Sequence, residues 1–186
     1  MQQLNLISDL ELFRMFLDSG RSELHFRELM RRYKQKVYWQ SRRLVILHDD
    51  ADEVTQMVFI KLWKNAEQFR FGSALSSFIY RIAYNESMTL LKNKQRFSSF
   101  DALLDRDGHY ASAIQNGSEM DGNEIERRLQ MALLTLPEKQ RIVFQYRYFD
   151  EMSYKDISEI TGTSEGALKA SYHFAAEKIK SKLDPI

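Results

Sequence analysis

Apolar residues recur along the N-terminal half of the chain at intervals of three and four. Leu6, Leu10, Phe13 and Leu17 form one series, and Phe26, Met30, Tyr33 and Val37 form a second. Val54, Val58 and Leu62 follow, then Leu75, Ile79 and Ile82. Near the C-terminus Leu168, Tyr172, Ala176, Ile179 and Leu183 make one more stripe. Such spacing gathers apolar side chains on a single helix face. No stretch alternates with period two, and no turn dipeptide joins two β-branched runs. The pattern predicts an all-α protein.

Breakers divide the chain. Residues 1–96 hold Gly20 and Gly72 and no proline, whereas residues 97–123 hold Gly108, Gly117 and Gly122 amid Ser and Asp. The middle segment has no sustained stripe and predicts a flexible linker, with one short helical turn near Ala102–Leu104. Structureless loops of this length are unusual inside one domain. The expected organisation is therefore two small helical domains, 1–96 and 124–186, joined by the 97–123 linker. Cap signals agree. Asp50 with Glu53 suggests a box-like helix start. Pro137 suits a first helical position. Ser153 with Asp156 suggests another box, Gly162 a left-handed stop, and Ser164 the cap of the next helix.

Composition narrows the function classes. The chain has no Cys, which excludes a disulfide scaffold, a thiolate metal site and a Cys nucleophile. Its longest apolar runs, such as Leu44–Leu47 and Met57–Ile60, are far short of the ~18 residues of a membrane span. No secretory signal is visible, so a cytoplasmic location without membrane insertion is expected. A net charge of +1 argues at first against nucleic-acid binding. By segment it is +5 over 1–96, −4 over 97–123 and 0 over 124–186, so neutrality hides a basic N-terminal domain and an acidic linker.

Three constellations could carry chemistry. Residues 153–160, a Gly-containing turn, and the helix from Glu165 have the layout of a helix-turn-helix. Ile157 and Ile160 should pack on Leu168 and Tyr172. Lys169, Ala170, Ser171 and His173 then face outward, where such a helix reaches base edges in a major groove. The alternative is a plain helical hairpin with a solvated face. Arg81, Lys92, Lys94 and Arg96, interleaved with Tyr80 and Tyr84, suit single-stranded nucleic acid, where cations follow phosphates and rings stack on bases. The alternative is a solvated helix end with tyrosines in the core. His48, Asp49, Asp50, Asp52 and Glu53 invite a metal-hydrolase reading. Consecutive residues fan around a helix rather than converge, so the acids fit a helix N-terminus better. Arg27, Arg31, Arg32, Lys34, Lys36, Arg42 and Arg43 read as a solvated basic face. Trp39 and Trp63 read as core or interface anchors. No phosphate-cradling loop, zinc-protease helix or nucleophile elbow is present, so no cofactor or metal is expected.

Together these segments resemble the sigma-70 family of bacterial RNA polymerase, in its small two-domain extracytoplasmic-function (ECF) group. The residues that carry the likeness are Phe26–Tyr38, Asp50–Trp63, Phe78–Arg96, Leu136–Phe149 and Ser153–Lys178. The resemblance implies a promoter-specificity subunit with core RNA polymerase, promoter DNA and an anti-sigma factor as partners, and no enzymatic activity. It implies polymerase docking through Asp52, Glu53, Gln56, Phe59 and Trp63. It implies −10 recognition through Phe71, Gly72 and Ser73 of the Phe69–Ala74 loop with Tyr80, Arg81, Tyr84, Asn85, Lys92, Lys94 and Arg96. It implies −35 recognition through Ser164, Lys169, Ala170, Ser171, His173 and Phe174. Phe78 stands where the family usually has Trp, Met57 and Thr89 where it has an acid, and Phe174 where Arg is common. A stand-alone helix-turn-helix regulator with an N-terminal interaction domain is the competing reading.

Overall fold

The structure is a computed structural model; it describes residues 4–97 and 124–183, and every regular element among them is helical. The expected linker turn at 102–104 lies outside the described residues. The chain divides into two compact units, 1–92 and 93–186. No helix among the described residues is long and apolar enough to cross a membrane.

In the first unit, α1 (Asp9–Asp18) starts at Ser8, whose hydroxyl accepts the Glu11 N–H at 3.3 Å. It stops in a Schellman turn: the Arg21 N–H reaches the Phe16 carbonyl at 2.9 Å and Gly20 reaches Leu17 at 3.1 Å, with both residues left-handed. The Ser8 cap overturns the first predicted stripe. Leu6 precedes the helix and is 91% exposed, and Leu10 is also exposed. The buried face is Leu12, Phe13 and Phe16.

The predicted second, third and fourth stripes run along α2 (Glu23–Val45), α3 (His48–Lys64) and α4 (Leu75–Phe97). Phe26, Tyr33, Val37, Val54, Val58, Leu62, Leu75 and Ile79 are buried. Asp50 is not a cap. The helix begins two residues earlier behind Leu47, and Asp49 and Asp50 sit in its first turn, where carboxylates complement the helix dipole. Only Ile46 and Leu47 separate α2 from α3. Ile46 takes φ 71° and ψ −42°, and the Leu47 N–H bonds the Val45 carbonyl at 2.9 Å. This is a γ-turn of the strained, positive-φ sense, closed over a buried isoleucine.

Aromatic rings dominate this core. Phe13 lies 5.2 Å from Phe69, and Phe16 lies 5.2 Å from both Phe26 and Trp63. Phe69 lies 5.4 Å from Phe78, which sits where the family usually has Trp. Each fully buried ring contributes about 1.5–3 kcal/mol by removal from water.

The basic run on α2 is not uniformly solvated. Arg32 is largely buried and donates to the Leu4 carbonyl at 2.6 Å, the Ile7 carbonyl at 2.9 Å, Asp9 at 2.6 Å and Glu28 at 2.9 Å. The Tyr33 hydroxyl donates to the other Asp9 oxygen. One guanidinium thus ties the entry to α1 onto α2. Burial alone would raise the Asp9 pKa, but the hydrogen bonds from Tyr33 and Arg32 outweigh it and the net shift is downward. Hydrogen bonds from Arg31 and then Arg32 lower Glu28 to about 2 against the opposing effect of burial.

In the second unit, α5 (Glu124–Leu134) and α6 (Glu138–Tyr148) precede α7 (Tyr154–Thr161) and α8 (Glu165–Leu183). Pro137 takes the cap position of α6, one residue before the expected one, and its carbonyl receives the Arg141 N–H at 3.0 Å. Leu129, Leu133, Leu136, Phe144, Ala175 and Ile179 form one buried cluster. The helix-turn-helix follows its signals closely. Ser153 accepts the Asp156 N–H at 3.1 Å, Gly162 is left-handed at φ 69°, and the Ser164 hydroxyl accepts the Ala167 N–H at 3.4 Å. Ile157, Ile160 and Leu168 are buried, and Tyr172 packs edge-on to Tyr154.

Candidate nucleic-acid and polymerase interfaces

With Leu168, Ala175 and Ile179 turned inward, α8 exposes the opposite side. Lys169, Ala170, His173 and Phe174 are exposed there. At 100° per residue they span an arc of about 140°. Ser164 is exposed at the turn. Ser171 departs from the expectation: it is half-buried beside the core stripe and does not share that arc. Phe174 is 56% exposed, with the His173 ring 5.9 Å away. The Lys169 ammonium lies 5.7 Å from the Tyr154 ring centre and 4.0 Å from the Glu165 carboxylate. The Arg147 guanidinium lies 4.8 Å from the same ring. Tyr154 therefore collects two cations at the foot of the exposed face, an arrangement the sequence reading missed. Cation–ring contacts at exposed sites contribute about 0.5–1 kcal/mol each.

The second surface lies on α4 and the loop before it. Arg81, Asn85, Thr89 and Lys92 are exposed and follow one another at four, four and three residues, which makes one continuous face. Tyr80 and Tyr84 are half-buried along its edge. Lys94 is exposed but roughly 140° around the helix from Arg81. It does not belong to the same face. Arg96 lies on α4, and its side chain is outside the described residues. The Arg81 guanidinium sits over Phe78 at 5.7 Å. In the loop, Phe71, Gly72 and Ser73 are all exposed. Phe71 packs 5.1 Å from Phe69 and 6.4 Å from Phe13, so it projects from the aromatic core.

The third surface is a groove of about 500 Å³ between α2 and α3, lined by Phe26, Met30, Lys34, Thr55, Gln56, Phe59, Ile60, Trp63 and Lys64. Phe59 is 5% exposed and Trp63 half-buried, so both form the floor rather than the rim. Glu53 and Gln56 are exposed nearby on α3, and Asp52 is half-exposed. Ile60 and Met57 are large apolar residues left open to solvent on that helix. The sequence reading named Gln56, Phe59 and Trp63 but not the groove they make with Phe26 and Met30. Only residues four apart on two facing helices would have signalled it.

The acidic segment at the start of α3 fans out as helix geometry requires. Asp50 is buried, Asp49 and Glu53 are exposed, and the His48 Nε2 lies 3.4 Å from Asp52. Tyr38 reaches the His48 Nδ1 at 2.7 Å. Among the described residues, no three His, Asp or Glu side chains converge as metal ligands would.

Comparison with known proteins gives these surfaces a context. Family models described as Sigma-70 region 2 and Sigma-70, region 4 match residues 29–97 and 126–179. The chain is 30% identical over 168 residues to the ECF RNA polymerase sigma-E factor of Haemophilus influenzae, covering 87% of this chain and 88% of that protein. It is 27% identical over 165 residues to the ECF RNA polymerase sigma factor SigW of Bacillus subtilis, covering 85% of this chain and 88% of that one. Its fold is similar to that of the sigma factor RpoE in complex with the anti-sigma factor NepR from Bartonella quintana, with a TM-score of 0.67, 19% identity, and 85% and 96% of the two chains covered. The chain belongs to the ECF group of the sigma-70 family of RNA polymerase sigma factors. It directs promoter-specific transcription initiation with RNA polymerase and is not an enzyme. The stand-alone regulator and the metal hydrolase are thereby set aside.

Proposed function

We propose that the three surfaces divide the work of initiation. The α8 face of Ser164, Lys169, Ala170, His173 and Phe174 reads the duplex −35 element. Phe71–Ser73 with Tyr80, Arg81, Tyr84, Asn85 and Lys92 captures the single-stranded −10 element. The α2–α3 groove, with Asp52, Glu53 and Gln56 beside it, docks on core polymerase. The observation that carries the reading is the bare α8 face. Four neighbouring residues able to meet a base edge or a methyl group are exposed together, and the buried side of the same helix holds it against α7. An anti-sigma factor is a further partner, supported by the complex in which the structurally similar RpoE is held. Residues 1–96 and 124–186 act as separate domains on the 97–123 linker, in the cytoplasm with the polymerase.

The energetics favour selection over melting. Opening ~12 base pairs costs on the order of 15 kcal/mol at ~1.4 kcal/mol per step. Trapping one or two bases returns a few kcal/mol. The factor therefore chooses the site and holds the extruded strand, and polymerase contacts supply the remainder. A linker of this length averages ~30 Å and extends to ~90 Å. It reaches between elements two helical turns apart, roughly 70 Å, only when drawn out.

The test is transcription by reconstituted holoenzyme from a promoter library randomised at both elements. Lys169→Ala and His173→Ala should shift −35 preference, and Asn85→Ala should shift −10 preference. If both −35 variants keep the parent preference, the α8 assignment is wrong.

A further inference from the structure

Residues 4–28 precede the segment matched by the region 2 family model, yet α1 reaches the loop assigned to the −10 element. Phe13 of α1 packs 5.2 Å from Phe69. At the next residue, the Arg14 guanidinium sits 5.0 Å from the centre of the Phe71 ring. Arg21, just past α1, pairs with Glu67 at 2.8 Å, on the approach to the same loop. Three contacts from one short stretch thus hold the first half of an exposed loop and the approach to it.

Arg14 is unlike three neighbouring arginines, whose charge is already taken up. Arg21 pairs with Glu67, Arg31 with Glu28, and Arg32 with Asp9 and Glu28. Arg14 is exposed, and among the described residues no carboxylate or carbonyl takes its N–H groups. A guanidinium carries five donors in a fixed plane. Stacking that plane on a ring orients it while leaving the donors open to a ligand. The ring beneath it, Phe71, is itself exposed at the tip of the loop. An aromatic platform joined to an unpaired cation is what a single strand uses: the ring takes a base face and the cation the adjoining phosphate.

We propose that Arg14 is part of the −10 site, where it holds a backbone phosphate next to the base that Phe71 meets. This rests on assigning the Phe69–Ala74 loop to −10 capture. The ligand is the non-template DNA strand, and α1 is the element that brings the cation to it.

The experiment measures binding of reconstituted holoenzyme to a single-stranded non-template oligonucleotide. The oligonucleotide carries the −10 element of a promoter mapped by sequencing transcript starts. Affinity is followed as salt rises fourfold, for the parent, Arg14→Gln, Arg14→Lys and Asn85→Ala. Each phosphate contact to a single strand adds about 0.7 to the log–log salt slope, or about 2.5-fold in affinity across that range. Arg14→Gln should bind more weakly, with a slope lower by about 0.7, and Arg14→Lys should keep the parent slope. Weaker binding by Arg14→Gln at an unchanged slope would mean that Arg14 only steadies Phe71, and the proposal fails. No loss of affinity also overturns it. Asn85→Ala separates the two levels. If it weakens binding while Arg14→Gln has no effect, only the Arg14 contact is wrong. If neither variant matters, the −10 assignment falls with it.

Discussion

The N-terminal unit presents its working surface from a scaffold of rings, whereas the C-terminal unit presents one bare helix face held by caps. In the first, Phe13, Phe16, Phe26, Phe69 and Phe78 interlock behind the exposed loop, and Arg32 ties α1 onto α2 from the other side. In the second, the helix-turn-helix is set by Ser153, Gly162 and Ser164, with Ile157, Ile160 and Leu168 behind it and fewer buried rings. The difference follows the task. A base pulled out of a duplex needs a rigid pocket whose strain the core must absorb. A duplex needs only a helix offered at the right angle. The unit proposed to hold the extruded base therefore carries the larger investment in buried rings.

The comparison breaks most readily at Phe16, which is fully buried between Phe26 and Trp63. Phe16→Ala should destabilise the first unit by about 3–5 kcal/mol. Both tryptophans, Trp39 and Trp63, lie in that unit, so fluorescence during urea unfolding of the full chain reports on it alone. A loss under about 1 kcal/mol would show that the ring scaffold is not what holds it.

Next in size are the residues of α8 proposed to read the −35 element. Lys169→Ala and His173→Ala should each lower promoter use by about 1–3 kcal/mol without moving the urea midpoint. Stability should move instead at Gly162, which has open space around its missing Cβ and φ 69°. Gly162→Ala should cost about 1–2 kcal/mol through backbone strain alone, and far-UV circular dichroism, which sees both units, is the measurement. Ser153→Ala should cost about 1 kcal/mol by freeing the Asp156 N–H. A silent Gly162→Ala would mean that caps do not set this unit.

The smallest effect is pH-dependent. Hydrogen bonds from Arg31 hold the Glu28 carboxyl at about 2, below its ordinary 4.5. A depressed folded pKa stabilises fully above about pH 4.5, and that share is lost as pH falls towards 2. Tryptophan fluorescence melts should drop across this window, less so in Glu28→Gln. The Arg31 half of the pair is exposed and screened, so the difference should be modest.

Much of this was legible in the chain. Stripes at three and four found α2, α3 and α4 because each buries one face along its whole length. The α7–α8 turn was legible because its geometry is carried by local chemistry: a hydroxyl, a left-handed glycine, a second hydroxyl. The first stripe misled because two overlapping series fit α1, and rings over 40 residues distant decide which is buried. Phe69 chooses Phe13, and Trp63 chooses Phe16. Arg32 read as solvent-facing because two of its four partners are backbone carbonyls at Leu4 and Ile7, which no residue pattern encodes. Ser171 read as outward because the face of α8 was drawn too wide.

The connection through Ile46 and Leu47 has no slack. One residue added at the start of α3, with the turn kept, would rotate the rest of that helix by about 100°. Glu53 and Gln56 would swing off the surface they now share, and Val54 and Val58 would leave the core. One residue removed would do the reverse. The backbone between α2 and α3 is therefore a ruler of fixed length.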